Sequence, residues 1–301
     1  MSEAGSGKVK LETVERDARF GAKAGTLYVV ATPLGNLRDM TLRALDVLAT
    51  ADVVAAEDTR TTGNLLRHYG IATRVLSLHA HNESQRVRSI VERLGAGGSV
   101  ALVSDAGTPA ISDPGALLVR AAREAGFAVV PIPGPSAVAA AFSAAGLAAE
   151  SFVFAGFPPA QAKARRTWLS SLARLPHAVV LYEAPHRVRE TIADVLEAMG
   201  PGRTLVVARE LTKTFETITS MPLGDAPSWF AEEANRERGE FVLLVDAAPP
   251  SAPADALSAE AEKWLVALLE ELPPARAARV VAAVTGVARD VVYERALELK
   301  R

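Results

Sequence analysis

The sequence predicts an α/β protein with two α/β domains followed by a small, helix-turn-helix-like helical module. Two observations carry this. From Thr26 onward, short apolar runs alternate with amphipathic stretches. Near-continuous apolar strands separated by helices mark a parallel sheet covered on both faces. Beyond Val245 the alternation stops, and an Ala/Pro-rich segment leads into three helical patterns.

The first domain, residues 26–135, takes its strands from Leu27–Ala31, Val53–Ala56, Val75–Leu78, Val100–Val103 and Ala128–Ile132. Between them, Thr41–Leu48, Thr61–Tyr69, Asn82–Leu94 and Asp113–Ala125 have helical spacing. Asn82 with Gln85 three residues on predicts a capping box. Asp113-Pro114 predicts an N-cap followed by a first-turn proline, and Gly126 a left-handed helix end. Gly134-Pro135-Ser136 opens a small-residue helix closed by Gly146. The second domain, residues 136–247, follows with strands at Phe152–Ala155, Ala178–Tyr182, Thr204–Ala208, Glu216–Thr219 and Phe241–Val245. Its helices are Ala160–Leu172, Arg187–Met199 and Pro227–Glu237. A linker at 248–256, Pro-rich and semi-rigid, precedes the module at 257–301. Gly286 leaves a tight turn between its last two helices, the spacing of a helix-turn-helix. A plain three-helix cap has the same pattern.

Composition excludes several classes. The 301 residues are 49% hydrophobic and 23% charged, which is globular rather than disordered. Thirty-three basic and thirty-five acidic residues give a charge of -2, so the whole chain is no polybasic nucleic-acid binder. The absence of cysteine excludes a thiolate nucleophile and any Cys-ligated metal, and it suits a reducing cytoplasm. The longest apolar stretch, 137–149, falls short of the roughly 20 residues a membrane span needs. Residues 1–25 read as a flexible tail without a signal peptide, and Gly5-Ser6-Gly7-Lys8 lacks the full spacing of a phosphate loop.

No dinucleotide fingerprint, zinc-protease helix or nucleophile elbow is present. His79 and His81 share a face with Glu83 nearby, but two histidines in a loop more often make hydrogen bonds, and no metal is expected. The positive signal lies just beyond the strands, where ligands of open α/β sheets bind. Thr32–Leu37, Glu57–Arg60, Ser104–Gly115 and Pro133–Ala137 are such segments, as are Tyr182–Arg187 and Arg209–Lys213. One group is Gly/Pro-rich and suits a small polar cofactor held by backbone. The other carries Asp58, Arg60, Glu183, His186, Arg187, Glu210 and Lys213, and suits a charged substrate with a proton to move.

Together, ATPLGNLRDMTLRAL, EDTR, HAHNE, VSDAGTPAISDPG, PGPSA, FAGFPP, YEAPHR and ARELTK resemble the tetrapyrrole methylase superfamily. More closely, they resemble its small-subunit ribosomal RNA methyltransferase I branch. The resemblance runs from about Thr26 to Val245, and LPPARAARVVAAVTGVARDVVYERAL is similar to that branch's C-terminal extension. Precorrin methylases carry Gly-Asp-Pro where Gly107-Thr108-Pro109 stands. Ala184 departs from a serine common in the branch.

The resemblance implies two α/β domains of the tetrapyrrole methylase type with a cleft between them, S-adenosylmethionine as methyl donor and a homodimer. It also implies 2′-O-methylation of a cytidine ribose in the decoding region of 16S ribosomal RNA, with the 30S subunit as the setting. It puts the cofactor against Pro33, Asp105, Gly107, Thr108, Pro109, Ile111, Ser136, Ala137 and Glu183. Arg60 and Lys213 are expected to hold RNA phosphates, and Glu210 or Asp58 to handle the hydroxyl. Lysine would need a depressed pKa to act as base, and both pairs also read as surface ion pairs. His186, Arg187, Arg276 and Arg279 are expected to contact RNA. A methyltransferase for a tetrapyrrole or other small acceptor, and a non-catalytic RNA-binding protein, stand as alternatives. The C-terminal extension argues against the first and the dense ionisable rim against the second.

Overall fold

The computed structural model describes residues 18–249, 257 and 259–300. The chain divides into two compact units, one ending at Ala247 and one beginning at Ala248. Gly5-Ser6-Gly7-Lys8 and most of the Pro-rich linker lie outside the described residues. Residues 18–25, expected within the flexible tail, are built onto the first unit instead. They include a 3-10 turn at Ala18–Phe20, the Ala22 N–H donates to Thr50 Oγ1 at 2.7 Å, and the Lys23 N–H donates to Tyr28 Oη at 2.9 Å.

The first unit holds two five-stranded sheets. The first contains β1 (Thr26–Val30), β2 (Val53–Ala56), β3 (Val75–Ser77), β4 (Val100–Val103) and β5 (Ala128–Ile132). All pairs are parallel, in the order β3-β2-β4-β1-β5. Residues alternate between its faces. Tyr28, Val30, Val54, Ala56, Ala101 and Val103 pack on α1 (Leu42–Thr50) and α2 (Thr59–His68). Leu27, Val53, Ala55, Val100 and Leu102 pack on α3 (Glu83–Gly95) and α4 (Ala116–Glu124). Both faces are covered, which is why the strands read as unbroken apolar runs.

The chain leaves β5 through α5 (Ala137–Ala145), which packs on the second sheet against Val180, Val206, Val242 and Leu244. That sheet contains β6 (Phe152–Gly156), β7 (Ala178–Glu183), β8 (Thr204–Arg209), β9 (Thr217–Pro222) and β10 (Phe241–Val245), in the order β6-β7-β10-β8-β9. Only β6 and β7 are parallel. The segment between β8 and β9 is too short for a parallel crossover, which needs about a dozen residues, so a hairpin forms. α6 (Ala162–Leu172), α7 (Val188–Met199) and α8 (Ala226–Glu232) cover the other face through Leu169, Ile192, Val195 and Phe230. The helix expected to run to Glu237 stops at Glu232 and gives way to a 3-10 turn.

The second unit holds α9 (Ala259–Glu271), α10 (Pro274–Thr285) and α11 (Arg289–Leu299) around Leu265, Ala277, Ala278, Val281, Val292 and Ala296. Gly286, at φ 74°, ends α10 in the left-handed conformation and allows the tight turn into α11.

Two helix starts differ from expectation. Asn82 makes no capping bond into α3, and its Oδ1 accepts instead from the His79 N–H at 2.8 Å. α4 begins at Ala116, past Asp113-Pro114, and its cap comes from another element. Buried Glu83 Oε1 accepts from the N–H groups of Gly115 (3.0 Å), Leu117 (3.1 Å) and Leu118 (3.4 Å). A carboxylate there satisfies orphan amides and meets the positive end of the helix dipole. Gly126 behaves as its position predicts, with the Phe127 N–H reaching back to Ala122 O at 2.9 Å. Glu83→Ala should cost about 1–3 kcal/mol, because three amides, two of them in buried hydrogen bonds, lose their acceptor. In a unit of this size that is a fall of several degrees in Tm. Thermal denaturation of the variant checks it, and an unchanged midpoint would remove Glu83 from this role.

Candidate active site

A cleft of about 500 Å3 opens between the carboxyl end of the first sheet and the matching edge of the second. Because β10 runs antiparallel, its first residue Phe241 pairs with Glu183 and Arg209 at the ends of β7 and β8. That brings Glu240 and Phe241 to the same rim as the loops after β7 and β8.

The loop after β4 forms the floor. Gly107 is tied to Thr32, beyond β1, by two backbone hydrogen bonds of 2.8 and 2.9 Å. Thr108 Oγ1 donates to Pro135 O at 3.0 Å, and Thr32 Oγ1 donates to Ser104 O at 3.1 Å. Gly107 sits at φ 78°, and a Cβ there would lie 3.2 Å from Leu34 Cδ2. Ala110 and Ser112, at φ 65° and 63°, are also left-handed without being glycine. Such residues persist only where the surroundings hold them, and they cluster at functional sites.

Seven of the nine residues expected to hold the cofactor line this cleft: Asp105, Gly107, Thr108, Ile111, Ser136, Ala137 and Glu183. Pro33 lines a neighbouring pocket instead. Pro109 is buried and lines neither. The Glu183 carboxylate is fully buried. It accepts from the Ala184 N–H at 2.7 Å and from Thr191 Oγ1, and pairs with Arg187 Nη2 at 3.3 Å.

Leu34, Glu57, Asp113, Phe157, Tyr182 and Glu240 also line the cleft; four of them, all but Phe157 and Glu240, fall in the post-strand segments the sequence marks, but none is among its named site residues. Burial pushes the Glu57 carboxyl up, and the charges of Asp113, Asp105 and Asp58 push the same way. Asp113 is raised by burial and by Asp105, against a hydrogen bond from Ser104. Tyr182, packed edge-on to Phe154 and Phe157, is pushed up to about 12, chiefly by burial. The lining thus combines aromatic and apolar side chains with carboxylates close enough to raise one another.

The remaining candidates are placed differently. Asp58 caps α2, accepting from the Arg60 N–H at 2.7 Å, and pairs with the Arg60 guanidinium at 3.1 Å. Those bonds hold its carboxyl below the usual range. Glu210 Oε1 accepts from Lys213 Nζ at 2.8 Å and from the Glu240 N–H at 3.0 Å. Burial raises Glu210, but the Lys213 bond, the Glu240 amide and the charges of Lys213 and Arg209 outweigh it and leave it low. Burial lowers Lys213, but Glu210 and Glu240 outweigh it and leave it high. Lys213 is therefore a fixed cation, and the depressed pKa a lysine base requires is absent. Its stem crosses Gly35, where a Cβ would sit 2.3 Å from Lys213 Cγ.

His186 is exposed beside the cleft-lining Pro185. Arg187, expected to face RNA, is turned inward. Its Nη2 donates to Pro158 O at 2.6 Å and Pro159 O at 3.3 Å while pairing with Glu183. It braces the cleft wall, because a buried carboxylate needs a nearby cation. Arg276 and Arg279 are exposed on α10. Arg295 pairs with Glu262 and Glu298. His79 and His81 lie with ring centroids 6.0 Å apart, and Glu83, the third potential ligand, is taken by α4.

Residues 26–227 match the family of Tetrapyrrole (Corrin/Porphyrin) Methylases, which defines the class of the first unit. Residues 255–300 match the RsmI C-terminal HTH domain. Two solved structures share the fold. Uroporphyrin-III-C-methyltransferase from Thermus thermophilus has a TM-score of 0.54 at 22% identity, over 74% of this chain and 94% of its own. Cobalt precorrin-4 methyltransferase, a cobalamin biosynthetic enzyme, has 0.56 at 20%, over 78% and 98%. Much nearer in sequence are proteins named ribosomal RNA small subunit methyltransferase I. That of Vibrio cholerae is 50% identical and that of Escherichia coli O157:H7 47%, each over 91% of this chain and 95% of the relative. The chain belongs to the ribosomal RNA small subunit methyltransferase I family of tetrapyrrole methylases.

The Glu210–Lys213 pair makes a pH prediction. Glu210, lowered, stabilises the fold above the ordinary carboxyl value of about 4.3, and that is lost as pH falls through its lower folded value. Lys213, raised, stabilises it below about 10.4, and that is lost as pH rises through its higher folded value. Lys213→Met should therefore cost about 1 kcal/mol at pH 7 and less below about pH 4. Denaturant titrations at the two pH values measure it, and an equal loss at both would trace the effect to the stem on Gly35 rather than to charge.

Proposed function

We propose that the protein transfers a methyl group from S-adenosylmethionine to the 2′-hydroxyl of a cytidine ribose in 16S ribosomal RNA, acting as a cytoplasmic homodimer on the 30S subunit. The observation that carries this reading is the cleft itself, in a chain about half identical to methyltransferases named for small-subunit ribosomal RNA. Pockets of roughly 300–1,000 Å3 suit small-molecule cofactors. The residues present fit this one. Gly107 leaves a backbone cradle that a side chain would fill. Ile111, Phe157 and Tyr182 offer an apolar surface for an adenine ring, and Glu57, Asp105 and Asp113 offer acceptors for hydroxyls and a favourable field for a cation. When bound, the cofactor supplies a methyl group on a positively charged sulfur.

The chain's own contribution is chiefly positioning. Methyl transfer needs the acceptor oxygen held in line behind the methyl carbon, and alignment accounts for much of such an acceleration. Lys213, kept protonated by Glu210 and Glu240, is matched to an RNA phosphate or to negative charge developing on oxygen. Glu210 and Asp58 are weak proton acceptors, because both carboxyls are held low. The acidic wall distinguishes this reading from a non-catalytic RNA-binding protein, since carboxylates crowded in a cleft repel RNA. Dimerisation is checked by the mass in solution from light scattering.

Gly107→Val should weaken S-adenosylmethionine binding at least tenfold, because a β-branched residue at positive φ must displace both Leu34 and the loop. Calorimetry on the folded variant measures it, and unchanged affinity removes the loop from the site. In the second unit, Arg276 and Arg279 lie three apart on α10 and share a face. Replacing both with alanine should weaken 30S binding and reduce its salt slope by about one to two. Cofactor affinity should stay within about threefold. Unchanged subunit affinity would make the second unit a structural cap.

A further inference from the structure

Beside the cleft lies a second pocket of about 400 Å3 that the reaction described so far does not use. Its walls come from the loop after β1 and from one face of α2, where Thr61, Asn64, Leu65 and His68 follow each other at helical spacing. Asp105 lines both this pocket and the cleft, so the two compartments share a wall. Leu34 lines the cleft and Gly35 the pocket, and the Lys213 stem crosses the chain at Gly35, where the compartments adjoin.

We propose that this pocket receives the acceptor nucleotide, turned out of its stack, so that its ribose reaches the junction at Asp105 and Lys213. The inference rests on the reading of the protein as a ribose methyltransferase and specifies where its acceptor sits. Enzymes that modify a single nucleotide within folded nucleic acid commonly extrude it into a pocket, holding the base by stacking and by hydrogen bonds to its edge. The pocket has both kinds of group. His68 presents an exposed imidazole to its lumen, and a ring of that size stacks on any base. Asn64 Oδ1 accepts from Arg67 Nη1 at 2.8 Å, while its Nδ2 donors have no partner among the described residues. An amide donor suits the ring nitrogen and carbonyl acceptors of a pyrimidine edge. Leu37 and Leu65 supply apolar surface, and Asp105 is the one carboxylate in the lining.

The surroundings match an RNA strand. Arg38 and Arg60 flank the lining residues Leu37 and Thr61 in the chain, Arg67 flanks His68, and all three are exposed. These guanidiniums suit the phosphates on either side of an extruded nucleotide. The cleft, by contrast, is walled by Glu57, Asp105 and Asp113, which would repel a phosphodiester. The charge pattern thus sorts the two ligands, with a cation-bearing cofactor in the acidic compartment and the nucleotide in the one with a single carboxylate, under an arginine rim.

The test fills the pocket without touching the cleft. Asn64→Trp, at an exposed helical position, should raise the KM for 30S subunits at least tenfold, while the Kd for S-adenosylmethionine stays within twofold and Tm is unchanged. His68→Ala, which opens the pocket, should raise KM at least fivefold and His68→Phe should largely restore it, as stacking requires and a merely structural role does not. Wild-type methyl transfer to the subunit with undisturbed Asn64→Trp and His68→Ala enzymes would overturn the inference alone. Cofactor binding without any wild-type transfer to 30S subunits would overturn the functional reading and the inference with it.

Discussion

The loop between β4 and α4 has to leave one sheet, form the floor of a cleft and re-enter a helix without a regular backbone of its own. Two anchors make that possible. The paired hydrogen bonds between Thr32 and Gly107 fix its middle to the end of β1. The Glu83 carboxylate fixes its far end by gathering three amides at the start of α4. Between the anchors, Ala110 and Ser112 hold left-handed conformations that each cost of order 1–3 kcal/mol. Removing either anchor releases that strain, and with it the positions of Asp105 and Thr108. The cleft's geometry therefore depends on a residue, Glu83, that lies on another helix and never faces the cleft.

Electrostatics divides the rim in a second way. Burial and neighbouring carboxylates push up the Glu57 and Asp113 carboxyls, so ionising these two destabilises the empty fold. Functional sites commonly carry such costs, which a bound cation relieves. Every cation near the cleft is, by contrast, already committed. Arg187 is locked to Glu183 and two proline carbonyls. Arg209 donates to the carbonyls of Asn235, Arg238 and Phe215 and to Thr217, which shapes the turn carrying Glu210 and Lys213. Lys213 is held between Glu210 and Glu240. The acidic field inside is left uncancelled, while exposed arginines lie outside it, Arg38 on the loop after β1 and, on α2, Arg60 paired with Asp58 and Arg67 bonded to Asn64.

Most of the fold was legible because its signals are local. Strands buried on both faces read as apolar runs, Gly126, Gly146 and Gly286 mark helix ends, and the loops after β4 and β5 announce themselves by composition. The legible part of the site has the same origin, since six of the seven cleft-lining cofactor candidates follow β4 and β5 and the seventh, Glu183, ends β7. Longer-range effects were hidden. The Asn82 and Asp113 caps looked sound locally, but Asn82 turns back to His79 and a carboxylate from elsewhere serves α4. The mixed second sheet follows from a short connection rather than from strand composition. Arg187 sits in a charged loop and reads as a surface residue, yet the buried Glu183 four positions earlier draws it inward. Glu57 and Tyr182 lie in segments the sequence marks, but only the folded chain shows that they line the cleft while Asp58 and Arg60 do not.

Two glycines show how the lobes are fitted together. Gly239 permits the Glu210 side chain to lie where a Cβ would stand 2.5 Å from it, and Gly35 does the same for the stem of Lys213. Gly35 is required by no helix end or strand turn, whereas Gly239, at φ 94°, also supplies a left-handed backbone just before β10. Gly239 lies in the same lobe as Glu210, and the pair crosses onto the other lobe at Gly35. A pair built on the β8–β9 turn is thereby held over the loop after β1, where Leu34 faces the cleft and Gly35 the second pocket. The ammonium at the end of the Lys213 stem is fixed by Glu210 and by Glu240, and Glu240 lines the cleft. It is rigid because two carboxylates hold it, and it is accessible because the residue beneath it has no side chain. Preorganised charge of this kind needs no rearrangement as a reaction proceeds, and a lysine with a raised pKa is suited to holding charge rather than to taking a proton.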